Sequence, residues 1–600
     1  MTVPFAVAIV ALRHPPWHAN LDLALTELRV RDTVSGAPPL VGLSGRIEAF
    51  GVAGSHPGPL GFWLLAPLYR LFGGSSWALQ AATATLNLAA VTVAVWIGHR
   101  RGGRTGALAV AAGMAVLLGA YGSDRWTQAW NPYLALMWWP VVLLGVWSVL
   151  CRDQAMLPVV VAAGSLCLQT HVSYLGLVTG LLGMATAGLA VTLVRDRAAG
   201  RPVSGTVRWG AAAAVLLVAL WIPPLVEQVQ NEPGNLAIIR EQFAHPTRPP
   251  AGWRTGVETT LHSLDPQVLL VAGAGERTSA VPGAFLLAVW AAAAAATWRR
   301  GRHVGALVRL HVVVACALVL GAASISRIQG TVLDYLVLWS WATTALACAA
   351  IAWTAVELLG AGDRPGPAPS RAGDAGLAVG RSDLASQGRR ARAALALTGA
   401  LVVALATTTW DAAHAQAPQP GQARLHAVLL PDAVAALRGG TVPGGGADGR
   451  YLVRSDDPLS AGLNTFTVLL ELERHGLDAG VDATHAVSAR PFRVLPESDA
   501  TAVVTYVVGP RIADWRRRAD AVEIAHAEPS PADLAEYARR RGRAVAELDA
   551  DGHHDLAARL DGGVLAVGVD PRVRESTVAL LQRMIELGAP TSIFVSPAAA

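Results

Sequence analysis

The fold is decided by three consecutive segments near the start of the chain, DLALTELRVRD (22–32), LVGLSGRIEAFG (40–51) and SHPGPLGFWLLAPLYRLFG (55–73). They combine carboxylates, arginines and a histidine, while most of the next several hundred residues are apolar. Membrane proteins place such groups where they meet water, substrate or a charged head group. We therefore expect the chemistry of this chain in these segments.

Two interfacial helices are expected in this stretch. Apolar residues recur at helical spacing from Leu21 to Leu28, whereas Asp22, Thr26 and Arg29 share the other face. This pattern predicts an amphipathic helix lying at a membrane surface. Residues 59–72 are also apolar but too short to cross a bilayer, which takes about 20 apolar residues. We interpret them as a second interfacial helix.

The composition is that of an integral membrane protein. The 600 residues are 53% hydrophobic and 15% charged, with a mean hydropathy of +0.40, whereas a soluble domain has about 25% charged residues. The net charge of +5 comes largely from arginines in short loops. This pattern fits membrane topology and gives no indication of a nucleic-acid partner. The four cysteines lie in or beside apolar segments without metal-ligand spacing, so we expect free thiols.

Hydropathy predicts about eleven spanning segments of roughly 20 apolar residues each between the N-terminus and residue 409. Basic residues in alternate loops place the N-terminus in the cytoplasm by the positive-inside rule. Residues 1–410 are then a transmembrane domain, with an outer loop at 13–76 that carries the interfacial helices. Residues 361–392, rich in Pro, Gly, Ser and Arg, are expected to be a disordered cytoplasmic linker.

A second domain is expected over residues 411–600. Short apolar runs begin at Tyr451, Ala502, Val564 and Thr591, and helical patterns separate them. Alternating strands and helices predict an α/β domain. The fold class is therefore a polytopic α-helical membrane protein with a C-terminal extracytoplasmic α/β domain. The expected localisation is the cell membrane, multi-pass.

Three carboxylates on the first interfacial helix are candidate catalytic groups: Asp22, Glu27 and Asp32. A carboxylate at the rim of a low-dielectric cavity has a raised proton affinity, which suits a general base. The alternative is that each is solvated charge, paired with a neighbouring arginine. We favour Asp22, because Arg31 one turn on can hold Glu27, and Asp32 lies beside a Gly/Pro link where a turn or cap role is expected.

Candidate substrate contacts lie in the same stretch and in the outside loops. An arginine at such a site would bind phosphate through its planar fork, and a tryptophan beside Asn and Asp is typical of a sugar-binding cleft. The bland alternatives are helix capping for the histidine and an aromatic membrane belt for the tryptophan. The candidates are Arg46, His56, Asp124, Trp130, Asn131, Gln169, His171, Glu227, Asn235 and Arg327. We find no phosphate-binding loop, dinucleotide fingerprint or metal motif. The sequence therefore indicates no cofactor, and it does not indicate a divalent metal.

The order of these features resembles the GT-C superfamily of integral membrane glycosyltransferases. A short first helix precedes an acidic outer loop, and HPGPLGFWLLAPLYRLFG from His56 is similar to the family's HPPLYY…LFG stretch, with Gly58 in place of the second proline. Asp22 is the first match to the family's catalytic Asp and Glu27 the second. The adjacent Asp-Glu pair that is usual in the family is absent as a dipeptide. The arginine-rich composition and outer tail are similar to actinobacterial cell-wall enzymes.

The resemblance implies transfer of a hexosyl or pentosyl group from a polyprenyl-phosphate donor on the outer face. The acceptor would be a cell-envelope glycan, lipid or protein, and the reaction would invert the anomeric centre with one carboxylate as general base. A polytopic transporter or lipid-linked glycan flippase is the alternative. Transporters usually carry repeats between their halves, and we find none in this sequence.

Overall fold

The chain is a multi-pass membrane protein made mostly of helices. The computed structural model describes residues 1–270, 279–300, 305–359 and 372–598. Its membrane region contains helices α1 (Thr2–Ala11), α2 (Leu21–Asp32), α3 (Leu60–Leu71), α4 (Ser76–Tyr121), α5 (Ser123–Trp126), α6 (Asn131–Leu134), α7 (Trp138–Leu150), α8 (Leu157–Thr170), α9 (Tyr174–Ala198), α10 (Ser204–Gln230), α11 (Asn235–Ala244), α12 (Gly252–Ser263), α13 (Val281–Arg299), α14 (Gly305–Ser326), α15 (Ser340–Leu359) and α16 (Ala372–Ala413).

Eight helical stretches in the described residues are long and apolar enough to cross a membrane. The sequence predicted about eleven segments, on the basis of roughly 20 apolar residues for each. One of the eight, α4, contains two predicted segments, joined where Gly102 and Gly103 leave helical geometry. Two more predicted segments form the short apolar helices α1 and α8. The difference therefore lies in helix length and in how a kinked helix is divided.

The predicted linker lies partly outside the described residues, which omit 360–371. From Ala372 the chain is helical and continues without a break into the last apolar segment, which ends at Ala413. The region is rich in alanine, leucine and arginine, and these residues have high helix propensity.

The first interfacial helix exists with the expected bounds but is not exposed. Residues on both of its faces are buried, including Leu25 and Leu28 on the apolar face and Glu27, Arg29 and Asp32 among the polar residues. The apolar face packs into a cluster with Phe62 and Leu65 of α3. The alternative of solvated charge does not hold for Glu27 and Asp32, because the C-terminal region covers the polar face that carries them.

The C-terminal region is an α/β unit, as the sequence predicted. A small antiparallel ribbon in the outer loop, β1 (Ser44–Ala49) and β2 (Val52–Ser55), precedes it in the chain. The strands of the C-terminal region are β3 (Arg450–Asp456), β4 (Asp478–Val481), β5 (Ala502–Val508), β6 (Val522–Ala527) and β7 (Thr591–Pro597). Its helices are α17 (Pro420–Arg438), α18 (Thr465–Arg474), α19 (Ala486–Ala489), α20 (Arg511–Arg516), α21 (Pro531–Ala550), α22 (His554–Arg559), α23 (Val564–Gly568) and α24 (Glu575–Leu587).

The five strands of this unit form one mixed sheet in the order β4-β3-β5-β7-β6. Strand β3 pairs in parallel with β4 and β5, while β7 lies antiparallel between β5 and β6. The apolar run at Val564 was expected to be a strand, but it forms the short helix α23. A short apolar run has no periodicity to separate strand from buried helix, and here tertiary packing selects the helix.

Candidate active site

A cavity of about 530 Å³ opens where the outer-loop segments meet the ends of several membrane helices. This volume is within the range of pockets that bind small molecules, about 300–1,000 Å³. The cavity brings together seven of the candidate residues that are dispersed along the sequence. They are Asp22, Arg46, His56, Trp130, Asn131, His171 and Arg327.

Asp22 lies in the first turn of α2 and reaches the cavity. Its Oδ2 accepts a hydrogen bond of 2.8 Å from the indole N–H of Trp130, and among the described residues no hydrogen bond reaches Oδ1. Burial raises the pKa of Asp22, and the Trp130 bond opposes the rise. A carboxylate that is held at one oxygen, is available at the other and has a raised pKa has the attributes of a general base.

The backbone just before Asp22 is strained. Leu21 has a φ of +48°, a left-handed conformation that costs a non-glycine residue about 1–3 kcal/mol. Such strain persists only where the surrounding structure over-determines it, and it clusters at functional sites. The start of α2 is therefore held in place by its packing rather than by local preference.

A chain of contacts links Asp22 to an arginine across the cavity. The ring of Trp130 lies 4.7 Å from that of Tyr335, measured between centroids, and the Arg46 guanidinium donates to the Tyr335 hydroxyl at 3.5 Å. Trp130 thus holds one oxygen of the carboxylate through its indole N–H, and a contact of this residue with a sugar stays a prediction. Tyr335 was missed by the sequence reasoning, although it follows the candidate Arg327 by eight positions.

Two neutral histidines form one wall. The rings of His56 and His171 lie 4.6 Å apart between centroids. The backbone N–H groups of Val172 and Ser173 donate to Nδ1 of His56 (3.2 Å) and His171 (3.3 Å), respectively. Both Nδ1 atoms are therefore acceptors, so Nε2 carries the proton in each neutral ring. Burial lowers the pKa of His56 to about 4 and that of His171 well below its ordinary value.

Three other candidates hold the cavity wall without lining it. The Asn235 amide bonds the backbone of Ser55 in both directions, at 2.8 and 3.0 Å, and so fixes the residue next to His56. Glu227 in turn accepts from the backbone N–H of Asn235 at 2.9 Å. Gln169 accepts from the Leu60 backbone N–H and donates to the Leu220 carbonyl oxygen. These side chains position the loop that carries His56.

Gly58 explains why this chain departs from the second proline of the family pattern. Its backbone N–H donates to the Gln169 carbonyl oxygen at 3.1 Å, a bond that proline cannot make. A Cβ atom on Gly58 would overlap the Gln169 side-chain oxygen. The glycine therefore allows the close approach of this glutamine.

The other two carboxylates of α2 face away from the cavity. Glu27 is fully buried, accepts from Tyr69 (2.6 Å) and Ser76 (2.9 Å), and forms an ion pair with Arg474. Asp32 is 2% exposed and pairs bidentately with Arg493 at 2.7 and 2.9 Å. The arginines of both ion pairs belong to the C-terminal region and could not be identified from local sequence.

Asp124 lies outside the cavity lining and is exposed, 3.9 Å from the Arg125 guanidinium. Gln242 and Ser173 line the cavity and were not expected from the sequence. Gln242 joins β1 to the last outside turn, because it accepts from the Glu48 backbone N–H and donates to Gln329. Within the described part of the chain, no group of three His, Cys, Asp or Glu residues is suited to hold a metal ion.

Comparison with known proteins found similar solved structures only. No family description matches the sequence, and no curated protein matches it. ArnT from Cupriavidus metallidurans, bound to undecaprenyl phosphate, is 17% identical, with 87% of this chain and 95% of that chain covered and a TM-score of 0.48. For the apo ArnT structure the identity is again 17% and the TM-score is 0.46, with 87% and 94% covered.

The archaeal oligosaccharyltransferase AglB from Archaeoglobus fulgidus, in complex with an inhibitory peptide and a dolichol-phosphate, is also similar. Its identity is 11%, with 99% of this chain and 88% of that chain covered and a TM-score of 0.41. At these identities and TM-scores, only the residues of this chain bear on its activity.

Proposed function

We propose that this chain is a membrane glycosyltransferase that moves a sugar from a polyprenyl-phosphate donor to an acceptor of the cell envelope. One observation carries the proposal. Asp22 is the one carboxylate among the described residues that line the cavity, and it shares that cavity with Arg46 and Arg327. A single base opposite cationic groups suits displacement of a phosphate by a hydroxyl.

The reaction needs one base and one stabilised leaving group. Asp22 takes the proton of the acceptor hydroxyl, whose oxygen forms a bond to the anomeric carbon of the sugar. The bond from that carbon to the carrier phosphate breaks, and the phosphate leaves with its electron pair. Arg46 and Arg327 stabilise this charge through charge-assisted hydrogen bonds. Single displacement inverts the anomeric centre and needs no second catalytic carboxylate, unlike a double displacement.

The remaining cavity residues orient the substrates. Nε2–H groups of the neutral His56 and His171 rings serve as donors to phosphate or sugar oxygens, and Asn131 offers an amide to sugar hydroxyls. Trp130 holds the carboxylate so that its free oxygen faces the acceptor. Because His56 is neutral above its pKa of about 4, this set of donors does not change its charge near neutral pH.

The alternation of basic loops supports an orientation in which the cavity and the C-terminal α/β domain lie outside the cytoplasm. Cysteine scanning tests it at two exposed sites, Gly36 in the loop after α2 and Ala199 between α9 and α10. An impermeant thiol reagent applied to intact cells should label the Gly36→Cys variant and leave the Ala199→Cys variant unlabelled. Equal labelling of both variants would contradict this orientation.

The transferase proposal is tested with purified protein in liposomes and two labelled probes, polyprenyl-phosphate mannose and polyprenyl-phosphate arabinofuranose. We expect label to move to a cell-envelope acceptor extract with one of the probes, and the Asp22→Asn variant to lose that transfer. If both proteins only exchange labelled lipid between leaflets, the flippase alternative is favoured.

A further inference from the structure

The C-terminal domain forms ion pairs and hydrogen bonds with the helix that carries Asp22. Its contacts with α2 and the following loop come from α18, α19 and the turn after it. They are Arg474 with Glu27, Arg493 with Asp32, Arg29 with the carbonyl oxygens of Val487 and Ser488, and Arg490 with the carbonyl oxygens of Ala37 and Pro38. All four involve an arginine side chain. The first three lie at the buried polar face of α2, and the fourth holds the loop that follows it.

The Arg493 contact is the most constrained of the four. Its guanidinium donates to both oxygens of Asp32 and, on its other edge, to both oxygens of Glu473 at 2.6 and 3.1 Å. Arg493 is only 6% exposed. A planar guanidinium saturated on two edges fixes both partners in distance and in angle. Asp32 at the end of α2 is thereby tied to α18, which carries Glu473.

A second buried cluster ties the middle of α2 to the same helix. Arg474 of α18 pairs with Glu27 and with Glu471, and Glu471 accepts from His18 just before α2. The two clusters therefore hold α2 from Glu27 to Asp32, while its first turn is free to project Asp22 into the cavity. The strained backbone of Leu21 needs such an external restraint, because a left-handed non-glycine residue relaxes when its surroundings allow it.

The same domain also reaches the cavity wall. The hydroxyl groups of Ser488 and of Ser44 in β1 are hydrogen-bonded at 3.1 Å, and Ser44 lines the cavity. The domain therefore contacts both the helix that carries the carboxylate and the strand that carries Arg46.

We infer that Arg493 and Arg474 are positioning residues, through which the C-terminal domain sets the place of Asp22 relative to Arg46 in the cavity. This inference rests on the proposed function in so far as Asp22 is the catalytic base. A misplacement of the reacting groups by about 1 Å lowers the reaction rate by a factor of order 10². Loss of the ion pairs of Arg493 and Arg474 is therefore expected to lower kcat. The donor KM should change little, because the cavity walls that bind the donor phosphate remain.

Arg493→Met tests the inference together with the double variant D32N/R493M, which leaves no unpaired Asp32 charge in the interior. We expect both variants to lose about 10²-fold in kcat with the donor KM close to that of the parent protein, and the double variant to regain most of the unfolding temperature lost in the single one. The matched control is Arg516→Met, which removes an exposed bidentate pair with Glu523 in the same domain and should keep the parent kcat. A double variant with the parent kcat would overturn the inference, because the arginine would then serve stability alone.

A second measurement works without any transferase assay. The Ser44 and Ser488 hydroxyl oxygens lie 3.1 Å apart, and we expect S44C/S488C to cross-link on mild oxidation. The linked peptide is quantified by mass spectrometry. Adding R493M should remove most of this cross-link, and adding R516M should not. An unchanged cross-link yield with R493M would overturn the inference that Arg493 is a positioning residue. A parent protein that transfers neither labelled sugar but still shows the expected cross-linking would overturn the proposed function alone.

Discussion

The two ends of helix α2 carry the same kind of group in opposite environments. At its first turn, Asp22 has a single side-chain hydrogen bond among the described residues and faces a cavity with arginines. Further along, Glu27 and Asp32 are buried in ion pairs with the C-terminal domain. A carboxylate in a buried ion pair is occupied by its partner, whereas one at a cavity is available to a substrate. Partners, rather than residue type or helix position, separate the catalytic candidate from the structural ones.

The largest effect is expected at the cavity end. Asp22→Asn should lower turnover by about 10²–10⁴-fold, the range for loss of a general base. The unfolding temperature should change little, since the amide keeps the shape and can still accept from Trp130. The measurement is transfer from the labelled polyprenyl-phosphate sugars. Turnover within a few-fold of the parent would remove Asp22 from the mechanism and end the contrast between the two ends of the helix.

The pH dependence sharpens the same assignment. The base must be ionised, and burial raises the pKa of Asp22, so protonation removes activity as the pH falls through that raised value. Below it kcat/KM should fall by about tenfold per pH unit. His56, with a pKa of about 4, stays neutral through most of this range. The small residual activity of Asp22→Asn should be independent of pH between 5 and 7, and a parent-like acid limb in that variant would assign the limb to another group.

At the middle of the helix the larger effect is expected on stability and the smaller one on turnover. Glu27→Gln leaves Arg474 buried with one charged partner fewer, which should destabilise the protein by about 3 kcal/mol, the lower end for breaking a buried ion pair, because Arg474 keeps Glu471. At temperatures where the variant is folded, its turnover should exceed that of Asp22→Asn. Unfolding in detergent, followed by circular dichroism, measures the first quantity. A variant as stable as the parent but as inactive as Asp22→Asn would reverse the roles of the two carboxylates.

A smaller effect is expected at the glycine that faces Gln169. Gly58→Ala places a methyl group where the Gln169 side chain now lies, so the glutamine must move, at a cost of about 1–3 kcal/mol for overpacking. Unfolding temperature is the readout, and Gly36→Ala, at an open position, is the control. Equal stability of both variants would show that Gln169 adapts freely and does not hold the loop of His56.

The smallest effect is expected at Asp124, which was a candidate contact from its place in an outside loop. Its carboxylate is exposed and lies beyond the cavity lining, so Asp124→Asn should leave turnover and donor KM unchanged. Asn131→Ala, at the cavity wall, should raise the KM of the substrate that it contacts. If Asp124→Asn impaired binding while Asn131→Ala did not, the site would extend along that loop instead of lying in the cavity.

The sequence by itself shows that this chain is a multi-pass membrane protein, because hydropathy and loop charge are local properties. Continuous apolar runs determined the membrane helices, and the alternating runs of the tail determined most strands of its sheet. The sequence also concentrates carboxylates, Arg46 and His56 in one short stretch, and that stretch contributes Asp22, Arg46 and His56 to the lining of one cavity.

Only the tertiary structure decided which of these groups meet. Trp130 binds Asp22 across 108 positions of the chain, and Arg493 binds Asp32 across 461. A helical pattern reports which residues share a face, but the burial of that face and the partner of each charge depend on what packs against it. For this reason the polar face of α2 reads as a solvated surface in the sequence. In the folded protein, one end of that face opens on a cavity and the other is held by a second domain.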